Sequence, residues 1–140
     1  MIINQIASMV FDDFADTGIV IAIIGRTGSY VSNKLDVFER IFVEGGLLDG
    51  LCGRVDDGQE PVISRLDGHL VAASGLSAGF DSIGYVVMLL PAGTSEQSVY
   101  FDFIEIIFAQ FSHIAGLIVQ NQRLRDYSEA VDLDAFAAVN

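Results

Sequence analysis

Two hydrophobic periods alternate along this chain of 140 residues. In residues 2 to 14, Ile2, Ile3, Ile6, Met9, Val10 and Phe14 recur at steps of three and four, with Asn4, Ser8 and Asp12 opposite them. That spacing is one face of a 3.6-residue helix, so an amphipathic N-terminal helix is expected. "ADTG" ends it, and "GIVIAIIG" follows as a short β-branched run between glycines. Such a run reads as a strand buried on both faces. With the Gly-containing turn "RTGSY" and the return run "SYVSN", residues 18 to 33 form a predicted hairpin.

The helical period returns in "KLDVFERIFVEGG", where Leu35, Phe38, Ile41 and Phe42 share a face and Gly45 and Gly46 end it. "LLDGLCGRVDDGQEP" is broken by glycines and reads as a short helical turn followed by a loop. In "PVISRLDGHLVAAS", Asp67 and Gly68 lie between two β-type runs. That dipeptide suits a two-residue type I′ turn, because both central residues need positive φ. "SAGFDSIG" is another turn, and "YVVMLLP" a buried strand closed by Pro91. A long helix is expected from Thr94 or Ser95 to about Arg125, with Ser95 placed to cap it and Glu96 favourable in its first turn. The tail, 126–140, has a weaker pattern, compatible with a further helical turn, fraying or docking elsewhere. Hairpin strands between segregated helices predict an α+β fold with an antiparallel sheet.

Composition narrows the function classes. Half the residues are apolar and 19% are charged, which predicts one packed domain rather than disorder. Nineteen acidic residues against seven Lys and Arg leave a net charge of -12, and the seven cations are scattered. A phosphate backbone has no positive face to grip, so nucleic acid is not an expected partner. Anionic membrane surfaces are disfavoured by the same repulsion. Cys52 stands alone, so no disulfide framework or CxxC pair forms within the chain. "MIINQIASMVFDDF" lacks a basic n-region, which makes a cytoplasmic location the simplest expectation. His69 and His113 have no partners at ligand spacing, so no metal site is expected. No nucleophile–base–acid spacing names a reaction, and an enzyme is not expected.

The segment "FDFIEIIFAQFSHIAGLIVQ", 101 to 120, has thirteen apolar residues of twenty. On a helix, Asp102, Glu105, Ala109, Ser112, His113, Gly116, Gln120 and Arg123 make one polar or small stripe, and nearly everything else is apolar. A surface helix needs an apolar stripe of only about 100°. A bilayer span is not expected, since 103 to 119 sits at the lower limit of about 17 residues and a central Glu105 costs on the order of 2–3 kcal/mol. The sheet and the N-terminal helix can each cover part of the surface. The excess predicts helix-to-helix homodimerisation, with Ala109, Ser112 and Gly116 permitting close approach and Ile3 and Val10 contributing from the first helix. The alternative is that all of it is intramolecular core.

"GYVVMLLPAGTSEQSVYFDFIEIIFAQFSHIAGLIVQNQRLRD" resembles the closing segment of a GAF domain, with Gly84, Ser95, Glu96, Ala115, Asn121 and Leu124 at matching places. "GRVDDGQEPVI" is similar to that family's loop-to-strand segment through Gly53, Val55, Gly58, Pro61, Val62 and Ile63. The order of elements agrees along 1 to 125, and a PAS-like sensor fold is the rival. The resemblance implies a five- or six-stranded antiparallel sheet. Terminal helices would cover one face, and short helices and loops the other, around a small-molecule pocket. It implies a sensory or regulatory domain that dimerises through its terminal helices and signals to a separate output partner. The chain departs from the cyclic-nucleotide subgroup, because Asn33–Lys34 precede the place where that pair belongs. It departs from bilin binders too, because Cys52 is followed by Gly53 rather than His.

Candidate ligand contacts follow from that pocket. Arg54 and Arg65 flank its loop, and an arginine pair can grip a carboxylate or phosphate. Phe38, Phe42, Leu48 and Tyr85 are expected to line an apolar cavity with one hydroxyl, or else simply to fill core. A ligand-free dimerisation or adaptor module is therefore the alternative function. A methionine sulfoxide reductase activity, known in the family, is remote, because a lone Cys52 cannot be both attacking and resolving thiol. No cofactor can be named.

Overall fold

The computed structural model describes the backbone of residues 2–91 and 97–139, and the side chains of residues 2–91 and 100–131. Helix α1, Ile2–Val10, is followed by a 3-10 turn, Phe11–Phe14. Strands β1, Val20–Gly25, and β2, Tyr30–Ser32, form the first hairpin. Helix α2, Leu35–Phe38, widens into a π-helical turn, Glu39–Glu44, and α3 spans Leu47–Asp56. Strands β3, Val62–Leu66, β4, His69–Ala78, and β5, Asp81–Pro91, precede α4, Gln97–Val139. Among the described residues, five strands form one antiparallel sheet in the order β2-β1-β5-β4-β3. The fold is α+β.

Local chemistry explains the turns. Asp67 and Gly68 adopt φ of 45° and 77°, the positive pair that the β3–β4 connection needs. Gly84 sits where β5 presses on β1: its φ is 149°, and a Cβ there would overlap the carbonyl oxygen of Ile24. The π turn closes with Gly45 N–H donating to the Arg40 carbonyl at 3.1 Å, a five-residue step. A side chain at Gly45 would strike the Ile41 carbonyl oxygen. Strand β5 starts at Asp81, before the "YVVMLLP" run, because β4 continues past a bulge at Leu76/Ser77 to pair Ala78 with Asp81.

Side chains alternate across a strand, so each central strand feeds two cores. On one face Ile21, Ile23, Leu70, Ala72, Val86 and Met88 pack against Ile3, Ile6 and Val10 of α1 and Ile104, Phe108, Phe111 and Ala115 of α4. On the other, Val20, Ala22, Ile24, Val71, Val87 and Leu89 meet Phe38, Phe42, Leu51 and Val55. The terminal helices cover one face and the short helices the other.

Helix α4 differs most from its expected length. It does not stop near Arg125 but continues to Val139, so the tail segment is the same helix, about 65 Å long at 1.5 Å per residue. Its expected start at Thr94 or Ser95 lies outside the described residues. From Gln120 to Val131 every side chain is exposed. Tyr100–Val131 is long and apolar enough to cross a bilayer by length and composition alone. A core helix passes the same test, and Ile104, Phe108, Phe111 and Ala115 are buried against the sheet.

Candidate functional site

The expected pocket residues meet, but as packed core. Phe38 and Phe42 are buried and stacked, ring centroids 5.3 Å apart, and Tyr30 closes edge-on to Phe38 at 5.1 Å. Leu48 and Tyr85 are partly buried against the same cluster. The Tyr85 hydroxyl donates to the Asp56 carboxylate, with oxygens at 2.7 and 2.8 Å. This bond, then burial, pushes the phenol up to about 12. The one hydroxyl expected to greet a ligand thus ties β5 to the end of α3.

The arginine pair does not converge. Arg54, on α3, is exposed and donates from Nε to Gln59 Oε1 at 3.0 Å. Arg65 lies two residues after Ile63, which packs on the α1/α4 face, so strand alternation sends Arg65 to that side. The two side chains therefore leave from opposite faces of the sheet. Cys52 is half-buried, and burial followed by the carboxylates of Asp56 and Asp49 pushes its thiol up to about 11. It is therefore held protonated at neutral pH, the opposite of an activated thiolate. Asn33 joins two strands through its side-chain amide. Its amide oxygen accepts from Ile21 N–H at 2.8 Å and its amide nitrogen donates to the Ile19 carbonyl at 2.9 Å, pinning the end of β2 to β1. His69 and His113 are exposed, and no group of three metal-binding side chains occurs among the described residues.

The expected dimer residues also divide. Ile3 and Val10 are buried in the chain's own core, because α1 spends its apolar face on the sheet and α4. Ala109 is exposed, Ser112 and Gly116 are half-buried, and a Cβ built on Gly116 would meet nothing within 4 Å. Beside this small-residue stripe runs a feature that sequence reasoning missed. Ile106, Leu117, Leu124 and Val131 lie on one line of α4, roughly opposite the sheet-facing Ile104, Phe108, Phe111 and Ala115, at about 100° per residue; the exposed His113 interrupts that line between Ile106 and Leu117. Ile106 is 57% exposed, Leu124 56%, and Tyr127, next to the line, 69%. Leu117, Leu124 and Val131 repeat every seventh residue, one of the two positions of a coiled-coil seam, with Gln120 and Tyr127 at the other, and this was the available signal. Between Ile106 and Val131 no carboxylate falls within about 60° of the ridge.

Cavities flank the same helix. A hollow of about 590 Å³ lies between the β4–β5 turn and α4, walled by Ala78, Gly79, Ser112, Gly116 and Leu117. Phe80, at the tip of that turn, is fully exposed. On the other flank, an apolar groove of about 390 Å³ between α1 and α4 is lined by Phe14, Phe103, Ile107 and Phe111, with Asp13 and Gln110. Set against family models, curated proteins and solved structures, the chain matches none of them.

Proposed function

We propose that this chain is a homodimeric regulatory or adaptor module that acts by association, with α4 as its docking element. The observation that carries this reading is the exposed apolar ridge Ile106–Leu117–Leu124–Val131, set opposite the helix face that packs on the sheet. Exposed large apolar side chains gathered on one helix face, here Leu117, Leu124 and Val131 with Ile106 beyond His113, mark an interaction site. A second copy suits it for an electrostatic reason. Two chains of net charge -12 repel, and from Ile106 to Val131 this ridge has no carboxylate within about 60°, Asp102 lying one turn before it. The closed packing of Tyr30, Phe38 and Phe42 favours an adaptor over a sensor whose ligand enters beside α3.

Small-molecule sensing is the second reading, with the ligand on the terminal-helix face rather than the short-helix face that the GAF resemblance implies, and one observation favours it. The α1/α4 groove, at about 390 Å³, falls within the size range of small-ligand sites, about 300–1,000 Å³, and is mostly apolar. Native mass spectrometry of protein purified without added ligand tests both readings. A species at twice the 15.1 kDa chain mass is expected, and Leu117→Asp with Leu124→Asp is expected to return it to monomer. A reproducible excess of small mass supports sensing. A monomer throughout the tens of micromolar range overturns the dimer.

A further inference from the structure

The hollow between the β4–β5 turn and α4 has a shape and a charge that the same surface of a second copy can satisfy. We infer that the Phe80–Asp81 tip of one copy seats in this hollow of the other, a reciprocal contact about a two-fold axis. The inference rests on the proposed dimer and names the contact that sets its geometry.

Three observations lead to it. First, Phe80 projects fully exposed from the hairpin, although an aromatic ring is worth on the order of 150–250 Å² of burial when it finds a pocket. Second, the adjoining hollow of about 590 Å³ has small-residue walls at Ala78, Gly79, Ser112 and Gly116, and space around Gly116 is open to 4 Å. Third, its ionisable lining groups are Arg123 and His113, and the carboxylate beside them is the chain's own Asp81 at its rim. The tip brings a ring and, next to it, the Asp81 carboxylate. Within one copy Asp81 Oδ2 and Arg123 Nη2 stand 3.6 Å apart, with both side chains more than 70% exposed. Arg123 therefore retains donors for a second carboxylate.

A two-fold contact must be self-complementary, with the same patch supplying knob and socket. Here they are neighbours, since Gly79 both walls the hollow and leads into Phe80. Leu117 belongs to the hollow and to the ridge, so the socket and the apolar line form one continuous surface. Phe80 and the ridge together offer five large exposed apolar side chains per copy toward the about 800 Å² per partner that stable interfaces bury.

Sedimentation velocity over a concentration series, on wild type, Phe80→Ser and Gly116→Leu, tests this. Wild type is expected to dimerise, and each variant to raise Kd at least tenfold. Phe80→Ser leaves the fold untouched, because the ring packs on nothing in its own chain. Gly116→Leu fills the socket while improving helix propensity, so its thermal midpoint, taken where both proteins are monomeric, should hold or rise although its dimer is weaker. Either variant dimerising with wild-type affinity overturns the seating of the tip and leaves the ridge dimer standing. Wild type that stays monomeric overturns both.

Discussion

At Tyr85 a phenol expected to face a ligand instead donates to the Asp56 carboxylate, and the consequence is measurable with pH. The folded-state value stands near 12, above the ordinary 10.0, so the neutral phenol is the favoured form. The bond's stabilisation is fully present below pH 10 and is lost as pH rises toward 12. Tyr85→Phe is expected to cost about 1 kcal/mol at pH 7 in urea unfolding, less than the roughly 1.5–3 kcal/mol of a hydrogen bond to a charged group because this pair is exposed to solvent. The gap between variant and wild type should narrow at pH 11.5; a gap independent of pH would assign the loss to packing. Phe38, Phe42, Leu48 and Tyr85, grouped in the sequence only through the pocket that the GAF resemblance implies, lie in one cluster. Whether they left a void was not legible, because filling depends on how two rings stack at 5.3 Å, which no spacing encodes. The Arg54/Arg65 pair failed on parity: one strand residue more or less sends a side chain through the sheet.

At the scale of elements, α4 carries two apolar stripes with different duties. Phe111, on the sheet side, is buried, and Phe111→Ala is expected to cost about 3–5 kcal/mol. Leu124→Ala, on the ridge beyond the sheet, should leave the dilute monomer within about 0.5 kcal/mol of wild type while weakening association. Chemical denaturation below the dimer's Kd separates the two. Equal losses would mean that the ridge is packed within one chain. The surplus apolarity of 101 to 120 was plain in the sequence. How it splits was not, because α1 covers one flank of α4, the sheet another, and only docked neighbours decide which residues stay outside. The heptad through Leu117, Leu124 and Val131 was readable but crossed the boundary set near Arg125, where polar residues dilute the pattern.

For the whole molecule the governing quantity is charge. Each copy carries -12, and the screening length falls from about 10 Å at 0.1 M salt to about 3 Å at 1 M. Dimer Kd is therefore expected to tighten severalfold between 20 mM and 500 mM sodium chloride, followed by sedimentation equilibrium. Loosening would mean that ion pairs such as Arg123 with the partner's Asp81, rather than apolar burial, hold the copies together.

The amino-acid sequence by itself determined the α+β class, both early hairpins and the two-faced burial of the central strands, since these rest on local period and on turn residues with positive φ. It also determined that α4 has more apolar surface than one neighbour can cover. Tertiary structure alone decided that Phe38 and Phe42 close on each other, that Arg65 faces away from Arg54, that Ile3 and Val10 are spent inside the chain, and that an open hollow lies beside an exposed Phe80. Those outcomes depend on which surfaces meet across the sheet, and contact between residues far apart in the chain leaves no period behind.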